Sequence, residues 1–313
     1  MERVLAITGA TGKKSGGAFI RLLAAHRDAL AGKYAEPFRV LARPSSDASE
    51  LLELLPDVDL RRGDFGDEAF LKDALTGADT LVHIAGIKLS LPLVRAAAAC
   101  GVRRLILVHT TGIYSKYKEA GEGYRQIDEE VYAICRQFSM LLTILRPTMI
   151  YGRANDNNVQ HFIRMVDRFP LMPVVNGARY ELQPVYCEDL AAAYLAVLTH
   201  EETTAGKDYD LSGGKPILLR DMLTEIGAQL GKKRVRFISV PFGLAYAGAL
   251  GICGLTLGKK DLREKVQRLC EPRAYSHEAA NRDFGYAPVE FAEGVRGEIR
   301  DYLDRKNRGP EQA

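Results

Sequence analysis

Four glycines open the chain at close spacing: Gly9, Gly12, Gly16 and Gly17 lie in a loop, Gly9-Ala10-Thr11-Gly12-Lys13-Lys14-Ser15-Gly16-Gly17, directly after the apolar run VLAIT. Such a loop lets the backbone turn tightly and approach an anion, and a helix starting there aims its first amides at that anion. The chemistry this suits is pyrophosphate binding. Gly9 would make the turn, Gly12 would admit the phosphate, and Gly16 or Gly17 would let helix pack on strand. Thr11 stands inside the loop, and Lys13 and Lys14 add positive charge at its end, where at least one of them reads equally well as a solvated surface lysine. A second run, FRVLA, ends at Arg43-Pro44-Ser45-Ser46 with no acid to bond a ribose hydroxyl. A guanidinium with neighbouring hydroxyls suits a 2′-phosphate, so Arg43 favours NADP(H) over NAD(H). The plainer alternative for Arg43 is a surface arginine stacked on the adenine of either cofactor.

Other chemistries find little support. The six histidines show no HExxH or paired spacing, so no metal is expected, and His83 and His109 read as histidines closing two central strands. No GxSxG elbow is present. Five cysteines without a CxxC pair read as reduced thiols, which with the absence of a secretory pattern at MERVLAITGATG points to the cytoplasm. A net charge of +3, from 43 basic and 40 acidic residues with no long basic run, makes nucleic acid an unexpected partner.

The elements that must position the loop alternate: VLAIT, AFIRLLAAHRDAL, FRVLA, DASELLELL, VDLRRGDF and FLKDALTG, then TLVHIA, LPLVRAAAACG, RLILVHT, a long segment from Tyr124 to Phe138, and LTILRP. Strand and helix in turn predict an α/β fold, a doubly wound parallel sheet of Rossmann type with both faces covered and a smaller C-terminal substrate lobe. A late strand is expected at Tyr209 to Gly214 after a helix over Leu190 to Leu198. The division predicted is 1–152 plus about 187–214 for the dinucleotide domain, and about 153–186 plus 215–313 for the lobe. Within the lobe, helices are expected around Leu219 to Leu230 and from Val289 to about Lys306, with a strand at VRFISV. The uncharged stretch Pro241 to Gly258 is read as a buried or amphipathic helix; membrane contact through it is the less favoured alternative.

TGATG (Thr8 to Gly12), GDF (Gly63 to Phe65), HIAG (His83 to Gly86), RPTMIYG (Arg146 to Gly152), QPVYCEDLA (Gln183 to Ala191) and FGY (Phe284 to Tyr286), in this order, resemble the short-chain dehydrogenase/reductase superfamily. The likeness is to its extended and atypical branch, related to NAD-dependent epimerases and dehydratases, and covers nearly the whole chain. It implies that Asp64 and Phe65 flank the adenine, that Ala85 and Thr110 lie along the cofactor, and that Pro147 to Ile150 line the nicotinamide side. It also implies a catalytic tyrosine with a lysine four positions on and an upstream hydroxyl. Thr111 and Tyr124 match the hydroxyl and the tyrosine, but the lysine position is Asp128, a carboxylate that would raise the tyrosine's pKa. Lys116 or Lys118 could fold back to replace the ammonium; the Tyr114-xxx-Lys118 pair itself reads as chance.

The expected function is an NADP(H)-dependent oxidoreductase acting on a carbonyl or hydroxyl of a small molecule. A nucleotide sugar is the first substrate guess, because Asn176, Arg179 and Gln183 fall where relatives hold a polar head, and a hydrophobic substrate also fits the Pro241 stretch. A homodimer through the helices beside the site is expected by analogy. The competing reading is a cofactor-binding sensor or structural subunit without turnover, for which Asp128 speaks.

Overall fold

The structure, a computed structural model, describes residues 3–117, 121–153, 156, 158–256 and 261–308. Among these, seven strands form one parallel sheet: β1 (Arg3–Thr8), β2 (Tyr34–Ala42), β3 (Asp59–Arg62), β4 (Ala78–His83), β5 (Arg104–Val108), β6 (Leu141–Pro147) and β7 (Asp208–Leu211). Their spatial order is β7-β6-β5-β4-β1-β2-β3, so the chain reverses direction across the sheet between β1 and β4. That reversal leaves a crevice at the carboxyl ends of the two strands, the place where open α/β sheets take ligands.

Side chains alternate along each strand, which explains why the strands are apolar throughout. Leu5, Ile7, Val40, Val82 and Leu145 point to one face, under helix α1 (Ser15–Ala25) and the helix Cys187–Thr199. Ala6, Leu41, Leu81, Leu107 and Ile144 point to the other, under α3 (Glu68–Leu75), α4 (Ser90–Ala99) and α5 (Gly121–Gln137), with α2 (Ser49–Leu54) on the first face. Each fully buried Leu or Ile is worth roughly 1.5–3 kcal/mol over exposure, so both helical layers are held firmly.

A third core lies off the sheet. Val159, Ile163, Leu223, Ile226, Val295 and Ile299 bring together the helices Val159–Arg168, Leu219–Gln229 and Phe291–Arg308. Beside them Leu171–Val175 pairs in parallel with Arg236–Val240, a strand partner that the sequence reading did not anticipate.

The Pro241 stretch departs from expectation. It forms a helix, Phe242–Leu255, that is neither buried nor amphipathic: Leu244 is 68% and Leu255 88% exposed. Its apolar residues cover every face, so no stripe selects a core-facing side. The Gly258 end of the stretch lies outside the described residues, and no helix among those described is long and apolar enough to cross a membrane.

Inside the third core Glu298 is fully buried, accepts the Gly152 amide at 2.9 Å and lies beside Asp156. Burial, and then the Asp156 charge, push its carboxyl well above the usual carboxylate range. A raised folded-state pKa stabilises the fold fully below the unperturbed 4.5, and that stabilisation is lost as pH rises above it. Glu298→Gln, which keeps an acceptor for Gly152, is therefore expected to gain thermal stability relative to wild type as pH is raised from about 5 to about 8. Parallel melting curves across that range would show no divergence if the carboxyl were ionised throughout.

Candidate active site

The loop after β1 is shaped by two close approaches. Gly9 has a φ of +80°, and a Cβ there would sit 2.6 Å from the Ala85 amide; a Cβ on Gly16 would sit 2.0 Å from the Gly9 carbonyl oxygen. Gly16, rather than Gly17, is thus the residue that lets α1 close onto the turn. The Gly12 amide donates to the Gly9 carbonyl at 3.0 Å and Gly17 to Gly12 at 2.7 Å. No side chain caps the start of α1, which leaves its first turn directed into the crevice.

A cleft of about 700 Å³ runs from this loop across the β2 end. Gly9, Thr11, Gly12, Lys13 and Lys14 form one end and Arg43, Ser45, Ser46 and Asp47 another, with Phe65, Ile84 and Ala85 along the side. Arg62, which sequence reasoning missed, donates through Nη1 to the carbonyls of Pro44 at 3.1 Å and Ser46 at 2.9 Å. It fixes the Arg43 loop and brings a second guanidinium beside it. The Asp47 carboxyl is held below its ordinary range by the Ser49 amide and hydroxyl. Asp64 does not line the cleft: it is exposed and accepts the Gly66 amide at 2.8 Å, while its neighbour Phe65 is buried and stacked on Phe70.

A second cleft of about 340 Å³ adjoins the first and shares Lys14 and Ile150 with it. Thr110, Thr111, Thr148 and Met149 line its sheet side, Gln183 and Tyr275 its lobe side. The Thr111 hydroxyl donates to the Pro147 carbonyl at 3.2 Å; Pro147 itself ends β6 and lines neither cleft. Arg268 and Arg273 also face this space, and the Nε of each is buried with no hydrogen-bond partner among the described residues. Burial, then the nearby Arg268 charge, lower the Arg273 guanidinium to about 10. Two cations thus stand close together in the wall of this cleft, with Glu264 3.6 Å from Arg268 and Glu271 acting on Arg273. Arg179 is exposed and borders neither cleft, and the Asn176 side chain is taken up by Tyr180 and the Phe242 amide. Gln183 lines the cleft, but its amide is spent on the Gly213 carbonyl and the Tyr275 amide.

Tyr124 lies half-buried on α5 and outside the lining of both clefts. Asp128, one turn on, is buried and points into the protein. It receives His109 Nδ1 at 2.6 Å and Arg146 Nη2 at 2.7 Å, and His109 Nε2 meets the Ser90 hydroxyl at 2.9 Å. Burial alone would raise the Asp128 carboxyl, but these two donors hold it below the ordinary carboxylate range. Arg146 also reaches Asp208 at 2.6 Å, and Tyr132 hydrogen-bonds the same Asp208 carboxylate. His83 is fully buried between the Thr8 hydroxyl and the Gly86 carbonyl, and burial lowers its pKa to about 3, so it is a neutral structural group. Lys116 is exposed and lines neither cleft, Lys118 lies outside the described residues, and Tyr114 hydrogen-bonds Asp210 at 3.1 Å. The lysine that the fold does bring to both clefts is Lys14.

The parallel sheet with its glycine turn at the crossover defines a Rossmann-type α/β protein. The chain belongs to the NAD dependent epimerase/dehydratase family, whose model matches residues 5–212, and proteins of this family bind NAD(P). It is similar to a 2-alkyl-3-oxoalkanoate reductase of Stenotrophomonas maltophilia, 25% identical over 75% of this chain and 84% of that one. It is 32% identical to subunit 9 of the NADH dehydrogenase [ubiquinone] 1 alpha subcomplex of Arabidopsis thaliana, over 34% of this chain and 26% of that one. Its fold superposes on dTDP-glucose 4,6-dehydratase (DesIV) of Streptomyces venezuelae with a TM-score of 0.73, at 20% identity and 98% coverage of each chain.

Asp128→Asn would leave Arg146 buried with one of its two carboxylates neutralised, and breaking a buried pair of this kind costs about 3 kcal/mol. Urea unfolding is expected to show that loss. A variant as stable as wild type would mean that the Asp128 charge is not engaged.

Proposed function

We propose that this protein is an NADP(H)-dependent oxidoreductase acting on a carbonyl or hydroxyl carbon of a substrate that carries an anionic group. The observation that carries the reading is the pair of cations Arg268 and Arg273 lining a cleft that joins the dinucleotide cleft at Lys14. Residues 1–152 with about 187–214 would hold the cofactor, and about 153–186 with 215–313 the substrate. Arg43, Ser45, Ser46 and the reinforcing Arg62 favour a 2′-phosphate.

When bound, NADP(H) supplies or accepts a hydride at the nicotinamide. Thr111, in the turn after β5, lines the substrate cleft with its proton given to the Pro147 carbonyl, so it would meet a substrate hydroxyl as an acceptor. Lys14 supplies the positive charge that stabilises that oxygen as its electron density grows, a task normally given to a lysine four residues after the tyrosine. Tyr124 stands at the family's tyrosine position as the candidate proton donor, and its side chain lines neither cleft. Arg273 and Arg268 hold the anion and so set the reacting carbon against the cofactor cleft. A 3-oxo carboxylate meets these demands and is the kind of compound named for the Stenotrophomonas relative; a nucleotide sugar, as named for the dehydratase neighbour, would present its diphosphate instead.

Asp128 supports a second reading. With a structural carboxylate at the lysine position, the chain would bind NADP(H) without turnover, as a sensor or subunit.

NADPH consumption measured with a 3-oxo carboxylate and its neutral ester, together with product analysis after incubation of a nucleotide sugar with the oxidised cofactor, separates these. Turnover of the carboxylate, with a KM raised about ten-fold or more in Arg273→Ala and no such change for the ester, is expected. Turnover indifferent to Arg273 would remove the anion site, and tight NADPH binding with no turnover of any of the three would favour the sensor. Within an active enzyme, Lys14→Met is expected to lower kcat by roughly 100-fold or more, and Tyr124→Phe by a comparable factor only if that hydroxyl reaches the substrate.

A further inference from the structure

Large apolar side chains are not exposed evenly over this molecule. Of eleven exposed among the described residues, seven fall within residues 169–171 and 238–255. The helix Phe242–Leu255 carries most of them, with Leu244 and Leu255 the most exposed, and among its residues whose burial is described only Ala249 is buried. At 14 residues it is roughly 21 Å long, too short to cross a bilayer. Its principal neighbour is the short helix Arg263–Leu269, which covers one side and leaves the remainder open to solvent.

The charge around this helix is one-sided. From Gly231 to Lys260 the sequence holds Lys232, Lys233, Arg234, Arg236, Lys259 and Lys260 and no acidic residue. Lys233, Arg234 and Arg236 are exposed. The first acid beyond the segment, Asp261, is held by Arg263 at 2.5 Å or more, and Asp167 on the neighbouring helix is held by Tyr302 and Lys306. Residues 231–260 thus bring basic charge and no acid of their own to this region, and Glu264 on the adjoining helix lies 3.6 Å from Arg268.

We propose that this face of the lobe seats the protein on an anionic lipid surface, the helix Phe242–Leu255 entering the interfacial layer and the basic residues before it pairing with headgroups. Apolar burial and headgroup attraction reinforce one another at such an interface. A second copy is the poorer occupant, because an isologous contact would bring up this same acid-free segment and offer the basic residues no carboxylate from it. A nucleic acid would gain from the charge but nothing from Leu244 or Leu255. The face is separate from both clefts, apart from the bordering helix that carries Arg268, so a membrane-seated enzyme would keep its substrate site open. The inference is independent of the proposed reaction.

Flotation of the full chain with vesicles of phosphatidylcholine alone, and with about one third phosphatidylglycerol, tests it. Binding to the anionic vesicles, weakened by salt, is expected. It should fall about 30-fold in Lys233→Ala with Arg234→Ala, at a factor of about five per charge, and be lost in Leu244→Glu with Leu255→Glu. These side chains are exposed, so unchanged melting temperatures and cofactor binding would confirm that the variants remain folded. No flotation, or flotation unchanged in both double variants, would overturn the proposal. So would a concentration-dependent dimer that Leu244→Glu with Leu255→Glu dissociates in the absence of vesicle binding.

Discussion

A single buried guanidinium ties the candidate site together. Arg146, near the end of β6, is shared between Asp128 on α5 and Asp208 on β7, and Asp128 in turn holds His109 at the end of β5. Three consecutive elements, β5, α5 and β6, are thereby joined to the sequence-distant β7. His109 meets Asp128 through Nδ1 and the Ser90 hydroxyl through Nε2, which ties α4 in as well. Thr110 and Thr111 follow His109 directly, and Thr148 to Ile150 follow Arg146 closely, so the floor of the second cleft inherits its geometry from this network. Such an arrangement is costly unless every charge is paired, which explains why a carboxylate at position 128 is compatible with an ordered site.

Two adjoining clefts follow from that floor and from the crossover between β1 and β4. One has the glycine turn, an uncapped helix start and two guanidiniums near the β2 end; the other has hydroxyls on one wall and two arginines on the other. Lys14 stands where they join. Under the proposed reaction Lys14 would take the task of the lysine that α5 lacks, with the positive charge supplied from the phosphate loop.

How much of this was legible beforehand depends on the range of the interactions involved. The glycine turn and the apolar strands were readable because a strand followed by a turn and a helix is a local pattern, and Gly9 and Gly16 answer to contacts within it. Arg43 was readable because it ends a strand. Arg62 was not, since its partners are the carbonyls of residues 44 and 46 and only strand pairing brings them together. The same holds for Arg268 and Arg273, which a late segment carries back over the sheet, and for the strand Leu171–Val175, whose partner lies at Arg236–Val240. Arg179 and Asn176 were attractive by type alone, and the fold leaves them outside both clefts. Asp128 was noticed as a break in a motif, but its partners, at positions 109 and 146, were out of reach of any spacing argument. Hydropathy identified the helix Phe242–Leu255 correctly and misjudged its surroundings, because apolarity reports a preference and not whether a core has room.

The central claim is that the crevice at the β1 and β4 ends holds a phosphorylated dinucleotide with Arg43 on the 2′-phosphate. Fluorescence titration of the purified protein with NADPH and NADH, repeated on Arg43→Ala, tests it most directly. The account predicts tighter binding of NADPH, with the preference largely lost in the variant while NADH binding is kept. Equal binding of the two by wild type would contradict the assignment of Arg43, and binding of neither would contradict the account of the site as a whole.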